Sequence, residues 1–201
     1  MRPVIAIVRL GAANLASIRV AIERAGADVR FVSDARGVAA ADGVVVPGVA
    51  HFGYLVAALD AADLRAPLLA AVARGTPLIG ICAGFQLLFE GSDEAPHARG
   101  LGILPGVVRA LNGPRNPHIG WNLVEPVAAD ASAEWAYFAH GFAPEATVAH
   151  VQASTTYGAP FASVAALGSV AGVQFHPERS AGYGARVLRA FVQRTEAHGA
   201  G

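Results

Sequence analysis

The sequence predicts an α/β fold with a mostly parallel, open sheet, flanking helices, and additional strands in the second half. Three observations lead to this class. In the first half, short apolar runs rich in Val and Ile alternate with segments of helical spacing. In the second half, strand-like runs follow one another with only loops between them. The chain has 201 residues without a repeat or a low-complexity linker, so we expect one domain spanning residues 1–201.

The elements of the first half follow in order. An apolar run at residues 3–8 predicts a strand buried on both faces. After Gly11, helical spacing extends to Ala25, and Gly26 is a typical helix end. Strands and helices then alternate, which favours a parallel sheet. The predicted strands are 28–32, 43–46 and 77–81, and the predicted helical segments are 55–59, 64–73 and 85–89.

The pattern of the second half predicts a series of strands. Between them lie only Gly, Pro, Asn and Ser-containing loops, with no helical segment until an amphipathic helix that begins near Tyr183. The predicted strands are 102–111, 136–140, 148–154, 161–166 and 169–175.

Composition and charge exclude several classes of function. Fifteen arginines balance fifteen acidic residues, and the chain contains no lysine, which excludes an internal Schiff base and a P-loop lysine. Zero net charge argues against nucleic-acid binding. The apolar stretch 66–89 is interrupted by Arg74 and Pro77, so it predicts two elements of a globular fold and no membrane helix. The run at 3–8 is too short for a signal peptide, and we expect a cytoplasmic protein.

The single cysteine lies where a predicted strand meets a helix, in Gly80-Ile81-Cys82-Ala83-Gly84. A nucleophile on such a sharp turn is exposed at the carboxyl end of the sheet, and small neighbours avoid clashes there. Amides at the start of the following helix can stabilise a thiolate and bind an oxyanion. An inert buried cysteine is the alternative, and the five-residue pattern favours the nucleophile.

A cysteine nucleophile needs a base and a group that orients the base. Gln174-Phe175-His176-Pro177-Glu178 supplies both at the end of the last predicted strand. In an extended segment residues two apart point the same way, so His176 and Glu178 are expected to share a face. Both this segment and Cys82 fall at strand ends, where open α/β folds place their sites. Taken alone, His-Pro-Glu could be an exposed loop.

These segments, together with Val46-Pro47-Gly48-Val49, resemble the class I, or triad, glutamine amidotransferases over nearly the whole chain. Within that family the sequence most resembles the glutaminase subunits of imidazole glycerol phosphate synthases. The hexapeptide Pro-His-Ile-Gly-Trp-Asn is the most specific signal. The segments that carry this closer resemblance are Gly11-Ala12-Ala13-Asn14-Leu15, Pro117-His118-Ile119-Gly120-Trp121-Asn122, Tyr137-Phe138-Ala139-His140 and Thr156-Tyr157-Gly158. The resemblance implies a flavodoxin-like amidotransferase fold.

The resemblance implies a mechanism for the three residues. Cys82 attacks the side-chain amide of L-glutamine, His176 protonates the departing ammonia and then activates water, and Glu178 fixes the imidazole tautomer. The oxyanion is held by the amide of Ala83 and by one from the Gly48-Val49 segment.

Substrate and partner contacts are also implied by the resemblance. Gln86 and the backbone near His140 and Gly141 would hold the α-amino and carboxylate groups of glutamine. Ammonia would pass to a (β/α)8-barrel cyclase subunit for histidine biosynthesis. The residues expected at that interface are Asn14, Trp121, Asn122 and Arg179.

Some positions depart from the family pattern. Ala50 stands where glycine is usual, Gly141 where serine is usual and Arg179 where lysine is usual. None of these changes removes a member of the triad. The other histidines show no close metal-ligand spacing, so we expect no metal and no cofactor.

Two other interpretations remain open at this point. The glutaminase subunit of pyridoxal phosphate synthase shares the turn and the His-x-Glu pair, but usually carries Gly-Gly-Glu-Ser-Thr where this chain has Pro47-Gly48-Val49-Ala50-His51. A non-catalytic, amidotransferase-like regulatory module is the other, and it would have no physical need for Cys82, His176 and Glu178 together. A cysteine peptidase would not need the terminal His-Pro-Glu.

Overall fold

The computed structural model describes residues 2–11 and 14–199. These residues form two sheets and six α-helices. The strands are β1 Val4–Val8, β2 Asp28–Val32, β3 Gly43–Gly48, β4 Leu78–Cys82, β5 Gly91–Ser92, β6 Val107–Ala110, β7 His118–Pro126, β8 Glu134–His140, β9 Phe142–Pro144, β10 Val151–Tyr157, β11 Ala159–Leu167 and β12 Val170–Val173. The helices are α1 Leu15–Ala25, α2 Ala35–Ala39, α3 Phe52–Ala61, α4 Arg65–Ala73, α5 Ala83–Gln86 and α6 Ala181–Gly199.

The large sheet has nine strands in the order β2-β1-β3-β4-β12-β11-β10-β7-β8. Its first five strands pair in parallel, and this order is that of flavodoxin-like folds. The remaining strands pair antiparallel and extend the sheet on one side. The predicted α/β class is therefore confirmed, including the additional strands of the second half.

Helices cover both faces of the parallel half, because its strands are apolar on both sides. One face packs against α1 and α6 through residues such as Ile18, Ile22 and Leu188, all buried. The other packs against α3 and α4, with Leu55 and Leu68 fully buried. Covering both faces leaves the strand ends as the accessible part of this half.

The small sheet has the order β5-β6-β9 and branches from the large one. β8 ends at His140 and β9 begins at Phe142, so the chain crosses from the large sheet to the small sheet at Gly141. This crossing lies beside the carboxyl end of β4, as the contact between Cys82 Sγ and the Ala139 carbonyl at 3.9 Å shows. Among the described residues, no helix is long and apolar enough to span a membrane.

Several sequence expectations about local structure were wrong. Residues 118–126 form strand β7, whereas the sequence predicted no strand between residues 111 and 136. Pairing with β8 from His118 to Val124 overrides the poor strand propensity of Gly120 and Asn122. Of the predicted strand 102–111, only Val107–Ala110 is a strand. The short helix α2 was not predicted, because Gly37 lies inside it.

The boundaries after the cysteine also differ from expectation. Helix α5 covers Ala83–Gln86, whereas the apolar spacing predicted a helix over 85–89. Helix α6 begins at Ala181, two residues before Tyr183. Ala12 and Ala13, which belong to one of the motif segments, lie outside the described residues.

Candidate active site

Cys82 is the last residue of β4 and the residue that precedes α5. Its backbone has φ 55° and ψ −114°, a left-handed conformation that is strained for any residue other than glycine. Such a turn places a nucleophile at the end of a strand with the amides of the next helix beside it. The side chain is 3% exposed, so it reaches the surface only through a cavity.

The glycines around Cys82 are required by close backbone packing. A Cβ on Gly84 would overlap the carbonyl oxygen of Val46 in β3, and one on Gly80 would lie 2.7 Å from the Gly84 carbonyl oxygen. The start of α5 is therefore pressed against β3 and β4. The expectation that small residues permit the sharp turn is confirmed.

His176 and Glu178 form a hydrogen-bonded pair next to the cysteine. Nδ1 of His176 lies 2.9 Å from Oε1 of Glu178, and both side chains are buried, at 8% and 1% exposure. Residues 177–179 form a 3₁₀ turn, so the two side chains do not share the face of an extended segment as the sequence suggested. The turn brings them together instead, because His176 is extended and Glu178 folds back onto it.

Electrostatics favour a protonated His176. Burial alone lowers the pKa of this imidazole, but hydrogen bonds with Cys82 and Glu178, and the negative charges of both, raise it to about 10. The Glu178 carboxylate accepts on one oxygen and fixes Nδ1–H, which leaves Nε2 for the cysteine. The three side chains thus form an array in which a protonated His176 lies between the Cys82 sulfur and the Glu178 carboxyl group.

A cavity of about 200 Å³ opens directly over Cys82. Ala83, Gln86, His140 and Gly141, which the sequence analysis assigned to the site, all line it. Val49, Ala50 and Glu94 also line it. Sites for drug-sized ligands measure roughly 300–1,000 Å³, so this cavity suits a molecule of amino-acid size.

Two backbone segments approach the cysteine from the sides of the cavity. Gly48 is buried and pairs with Cys82 across β3 and β4, while Val49, which follows it, is 52% exposed. A Cβ on Gly48 would lie 3.0 Å from the Gly84 nitrogen, so this segment sits tightly on the helix start. Ala83 and the Gly48-Val49 segment therefore both lie beside the backbone of Cys82.

His118 and His140 form a buried pair, in which His140 belongs to the cavity wall. Nδ1 of His140 lies 2.9 Å from the Phe142 carbonyl, so it carries the proton, and its Nε2 accepts from Nδ1 of His118 at 3.4 Å. Burial lowers the pKa of His140 to about 3, although the hydrogen bond with Phe142 raises it, and burial also lowers the pKa of His118. Both rings are therefore neutral near pH 7.

The four residues expected at a partner interface lie in different settings. Asn14 caps α1 by accepting from the Ser17 amide at 3.3 Å. Trp121 is 50% exposed on β7 beside Tyr137, and the Arg179 guanidinium stacks on the ring of that tyrosine, 3.9 Å from the ring centre. Asn122 points elsewhere, because it donates to the Thr156 carbonyl at 3.1 Å. Arg179, in the 3₁₀ turn 177–179, thus lies against the face of β7 and β8 that carries Trp121 and Tyr137, the outer surface of these two strands.

A second cavity of about 250 Å³ lies at the junction of β6, β9 and β11. It is lined by Arg109, Glu145 and Phe161 among others and contains no member of the Cys82 array. Within residues 2–11 and 14–199, no cluster of three side chains could hold a metal ion.

Comparison with known proteins identifies the family. A sequence profile of the family described as "Glutamine amidotransferase class-I" matches residues 7–194. The chain belongs to this family. The match runs from the last two residues of β1 to Arg194 in α6, and it includes Cys82, His176 and Glu178.

Individual relatives agree with this assignment. "Imidazole glycerol phosphate synthase subunit HisH" of Xanthomonas euvesicatoria pv. vesicatoria is 43% identical over 198 residues, which cover 94% of this amidotransferase and 96% of the relative. The protein of the same name from Halobacterium salinarum is 42% identical over 203 residues and covers 94% and 92%.

Solved structures share the fold at much lower identity. One described as a glutamine amidotransferase has a TM-score of 0.78 at 18% identity and covers 96% of this chain and 98% of its own. PurLQS from Thermotoga maritima has a TM-score of 0.75 at 19% identity and covers 96% and 99%. These two similarities concern the fold alone.

Two buried polar side chains of this amidotransferase, Gln174 and His118, were not predicted as site residues. Gln174 is fully buried between Gln86 and Cys82, and His118 is 3% exposed against His140. A polar residue inside an apolar strand end was the available signal for Gln174, because such a group is buried only with partners. His118 gave no such signal, because it lies in a segment for which the sequence predicted no strand.

Proposed function

We propose that this class I amidotransferase is the glutaminase subunit of an imidazole glycerol phosphate synthase, which hydrolyses L-glutamine and delivers ammonia to a cyclase subunit. The observation that carries the chemistry is the array of Cys82, His176 and Glu178 beneath a cavity of amino-acid size. The identity of 43% with a HisH subunit over 94% of the chain supports this subfamily rather than the pyridoxal phosphate synthase glutaminases.

The first half of the reaction forms a thioester. The Cys82 thiolate attacks the side-chain amide carbon of glutamine, and the carbonyl oxygen gains negative charge. The amide of Ala83 and one from the Gly48-Val49 segment donate to that oxygen. His176, held protonated by Glu178, gives its proton to the departing nitrogen, and ammonia leaves.

The second half hydrolyses the thioester. Neutral His176 removes a proton from water, which attacks the carbonyl carbon, and the carbon–sulfur bond breaks to release glutamate and the thiolate. Glu178 keeps Nδ1 of the imidazole protonated in both halves and stabilises the cation each time that it forms.

Substrate recognition is assigned to the other walls of the cavity. Gln86 and the backbone of His140 and Gly141 contact the α-amino and carboxylate groups of glutamine. Gly141 has no side chain for such a contact, so only its backbone contributes there. No metal or organic cofactor takes part in this proposal.

The partner in the proposal is a (β/α)8-barrel cyclase subunit, bound in the cytoplasm as part of a histidine biosynthetic heterodimer. Trp121 and Arg179 would contact it from the outer surface of β7 and β8, and Asn14 would contact it from the start of α1. The half-exposed Trp121 of the isolated chain supports its assignment to the interface, because tryptophan is a frequent interface anchor. We keep Asn122 as an interface residue that acts by holding β7 against Thr156.

The test measures glutamate and ammonia released from L-glutamine by the chain alone and with a cyclase subunit loaded with its nucleotide ligand. We expect slow release alone and strong stimulation in the complex, and Cys82→Ser should release none. Full activity without a cyclase would remove the synthase assignment. Absence of glutamate release in every mixture would contradict the glutaminase itself.

A further inference from the structure

Gln174 lies level with the nucleophile on the neighbouring strand. β12 ends at Val173, which pairs with Ile81, so Gln174 is adjacent to Cys82 at the carboxyl end of the sheet. Its backbone amide donates to the Ser163 carbonyl in β11 at 2.9 Å, which fixes the main chain. The side chain is fully buried.

A buried carboxamide requires partners for its oxygen and its nitrogen. Nε2 of Gln174 donates toward Cys82 Sγ at 3.9 Å, and Oε1 accepts from Nε2 of Gln86 at 3.2 Å. Nε2 of Gln86 also donates to the Phe142 carbonyl at 2.6 Å. The three contacts form one continuous series of hydrogen bonds from the small sheet to the sulfur.

The Phe142 carbonyl fixes which groups donate and which accept in this series of hydrogen bonds. A backbone carbonyl only accepts, so the group of Gln86 that faces Phe142 must be its NH₂. That NH₂ also faces Gln174, so Gln174 must present its oxygen to Gln86 and its own NH₂ to the sulfur. Flipping either amide would bring two donors or two acceptors together.

We propose that Gln174 is a positioning residue for the glutaminase reaction, orienting the Cys82 sulfur and the Gln86 carboxamide at the same time. This role rests on the proposed function. The N–H directed at sulfur stabilises the thiolate, because hydrogen bonds to charged acceptors are the stronger ones. Because both N–H groups of Gln86 are engaged, Gln86 presents its carbonyl oxygen to the cavity, where it accepts from the α-ammonium group of free glutamine.

Two variants separate the two contacts. Gln174→Met removes the donor and the acceptor. Gln174→Glu keeps an acceptor for Gln86, but its ionised form places an oxygen without a proton against the sulfur. When protonated, that carboxyl again donates to Cys82 and accepts from Gln86. Gln152→Met and Gln152→Glu, at an exposed position on β10, are the matched controls.

The first measurement is the rate at which iodoacetamide alkylates Cys82, the only cysteine of the chain. We expect Gln174→Met to react about fivefold more slowly at pH 7, the factor expected for one hydrogen bond to sulfur. Alkylation of Cys82 in Gln174→Glu should be slowed more at pH 8 than at pH 5. Other titratable groups also surround the site, so each rate is divided by that of the unmodified chain at the same pH. They are His176, Glu178, His140, His118, Glu94 and His51.

The second measurement is glutamate release by the same proteins. We expect Gln174→Glu to lower kcat with KM changed less than about threefold, and Gln174→Met to lower kcat and raise KM. Thermal unfolding first establishes that each variant is folded. If a folded variant changes kcat and KM by equal factors, it has lost packing only, and that result overturns the positioning role. If Gln174→Met does not fold, the pH dependence of Gln174→Glu decides.

The two proposals fail separately. Alkylation rates within twofold of the controls, together with normal glutamate release by the unmodified chain, contradict the role of Gln174 alone. The expected alkylation pattern in a chain that releases no glutamate contradicts the proposed function and leaves the orientation of Cys82 by Gln174 in place.

Discussion

In the parallel half of the large sheet, β3 and β4 are buried along their whole length, whereas β7 and β8 in the antiparallel half alternate between buried and more exposed residues. Strands covered on both faces expose only their ends. Cys82 and His176 both lie at such ends. The antiparallel half has a free face, and this face carries Trp121.

The difference assigns separate tasks to the two halves. The parallel half holds the reacting groups rigidly, because β3, β4, β12 and the helix after Cys82 pack without space for added atoms. The antiparallel half supplies one wall of the cavity through His140 and Gly141, and its outer surface remains open for a partner. Variants in the parallel half should therefore affect chemistry and folding, and variants in the antiparallel half should affect association and pH response.

The largest expected effect concerns the base. His176→Ala should lower the rate of glutamate release by about 10²–10⁴-fold, the usual contribution of general acid–base catalysis. Glu178→Gln should lower it less, because it removes orientation and charge but leaves the imidazole. Rates are measured in the complex, with exposed His97→Ala as control. Near-normal turnover in both variants would show that the pair at the end of β12 takes no part in the reaction.

The next effect concerns the packing of the turn. Gly84→Ala should destabilise the fold by about 3 kcal/mol or more, because its Cβ would overlap the Val46 carbonyl and neither backbone can move freely. Gly91→Ala in the small sheet is the control, since its Cβ would lie 3.7 Å from the nearest atom. Denaturant unfolding measures both. Equal stabilities would contradict the tight packing inferred for the parallel half.

The outer surface of the antiparallel half predicts a different kind of loss. Trp121→Ala should weaken binding to the cyclase subunit by about 2 kcal/mol, the size expected for an interface anchor. Its effect on the isolated fold should be small, because half of the side chain is exposed. Phe31→Ala, at the opposite edge of the sheet, should leave affinity unchanged. Calorimetric titration compares them, and equal affinities would remove Trp121 from the interface.

A smaller effect concerns pH. Because burial lowers the pKa of His140 to about 3 in the folded chain, the unfolded chain binds one more proton between about pH 6.5 and 3. The free energy of unfolding should thus fall as pH falls through this window, by up to about 1.4 kcal/mol per pH unit from this residue. His140→Phe should reduce the slope of the free energy of unfolding against pH in this window. Above pH 8 it should add no pH dependence. Urea unfolding between pH 4 and 8 measures it, and an unchanged slope would contradict a neutral, buried His140.

The sequence predicted the parallel half better than the antiparallel half, for a physical reason. Residues 43–46 and 77–81 are continuous apolar runs because both faces are covered, and such runs are visible without knowledge of neighbours. β7 contains Gly120 and Asn122, and it is a strand only because β8 pairs with it. Local pattern carries no information about that pairing.

For the site, too, the sequence predicted the local motifs and missed the long-range contacts. The turn at Cys82 and the pair of His176 and Glu178 were found because they are local motifs. The 3₁₀ conformation that joins the pair was not, and neither was Gln174, whose partners are 88 and 92 residues away in the chain. Contacts of that range follow from the strand order and not from spacing.

The most direct test of the central claim is covalent labelling by an electrophilic analogue of glutamine, followed by mass spectrometry of the intact chain and of its peptides. The account predicts one adduct, on Cys82, whose formation is slowed by L-glutamine and by His176→Ala. Labelling elsewhere, or labelling of Cys82 at a rate that L-glutamine does not change, would contradict a glutaminase site at the end of β4.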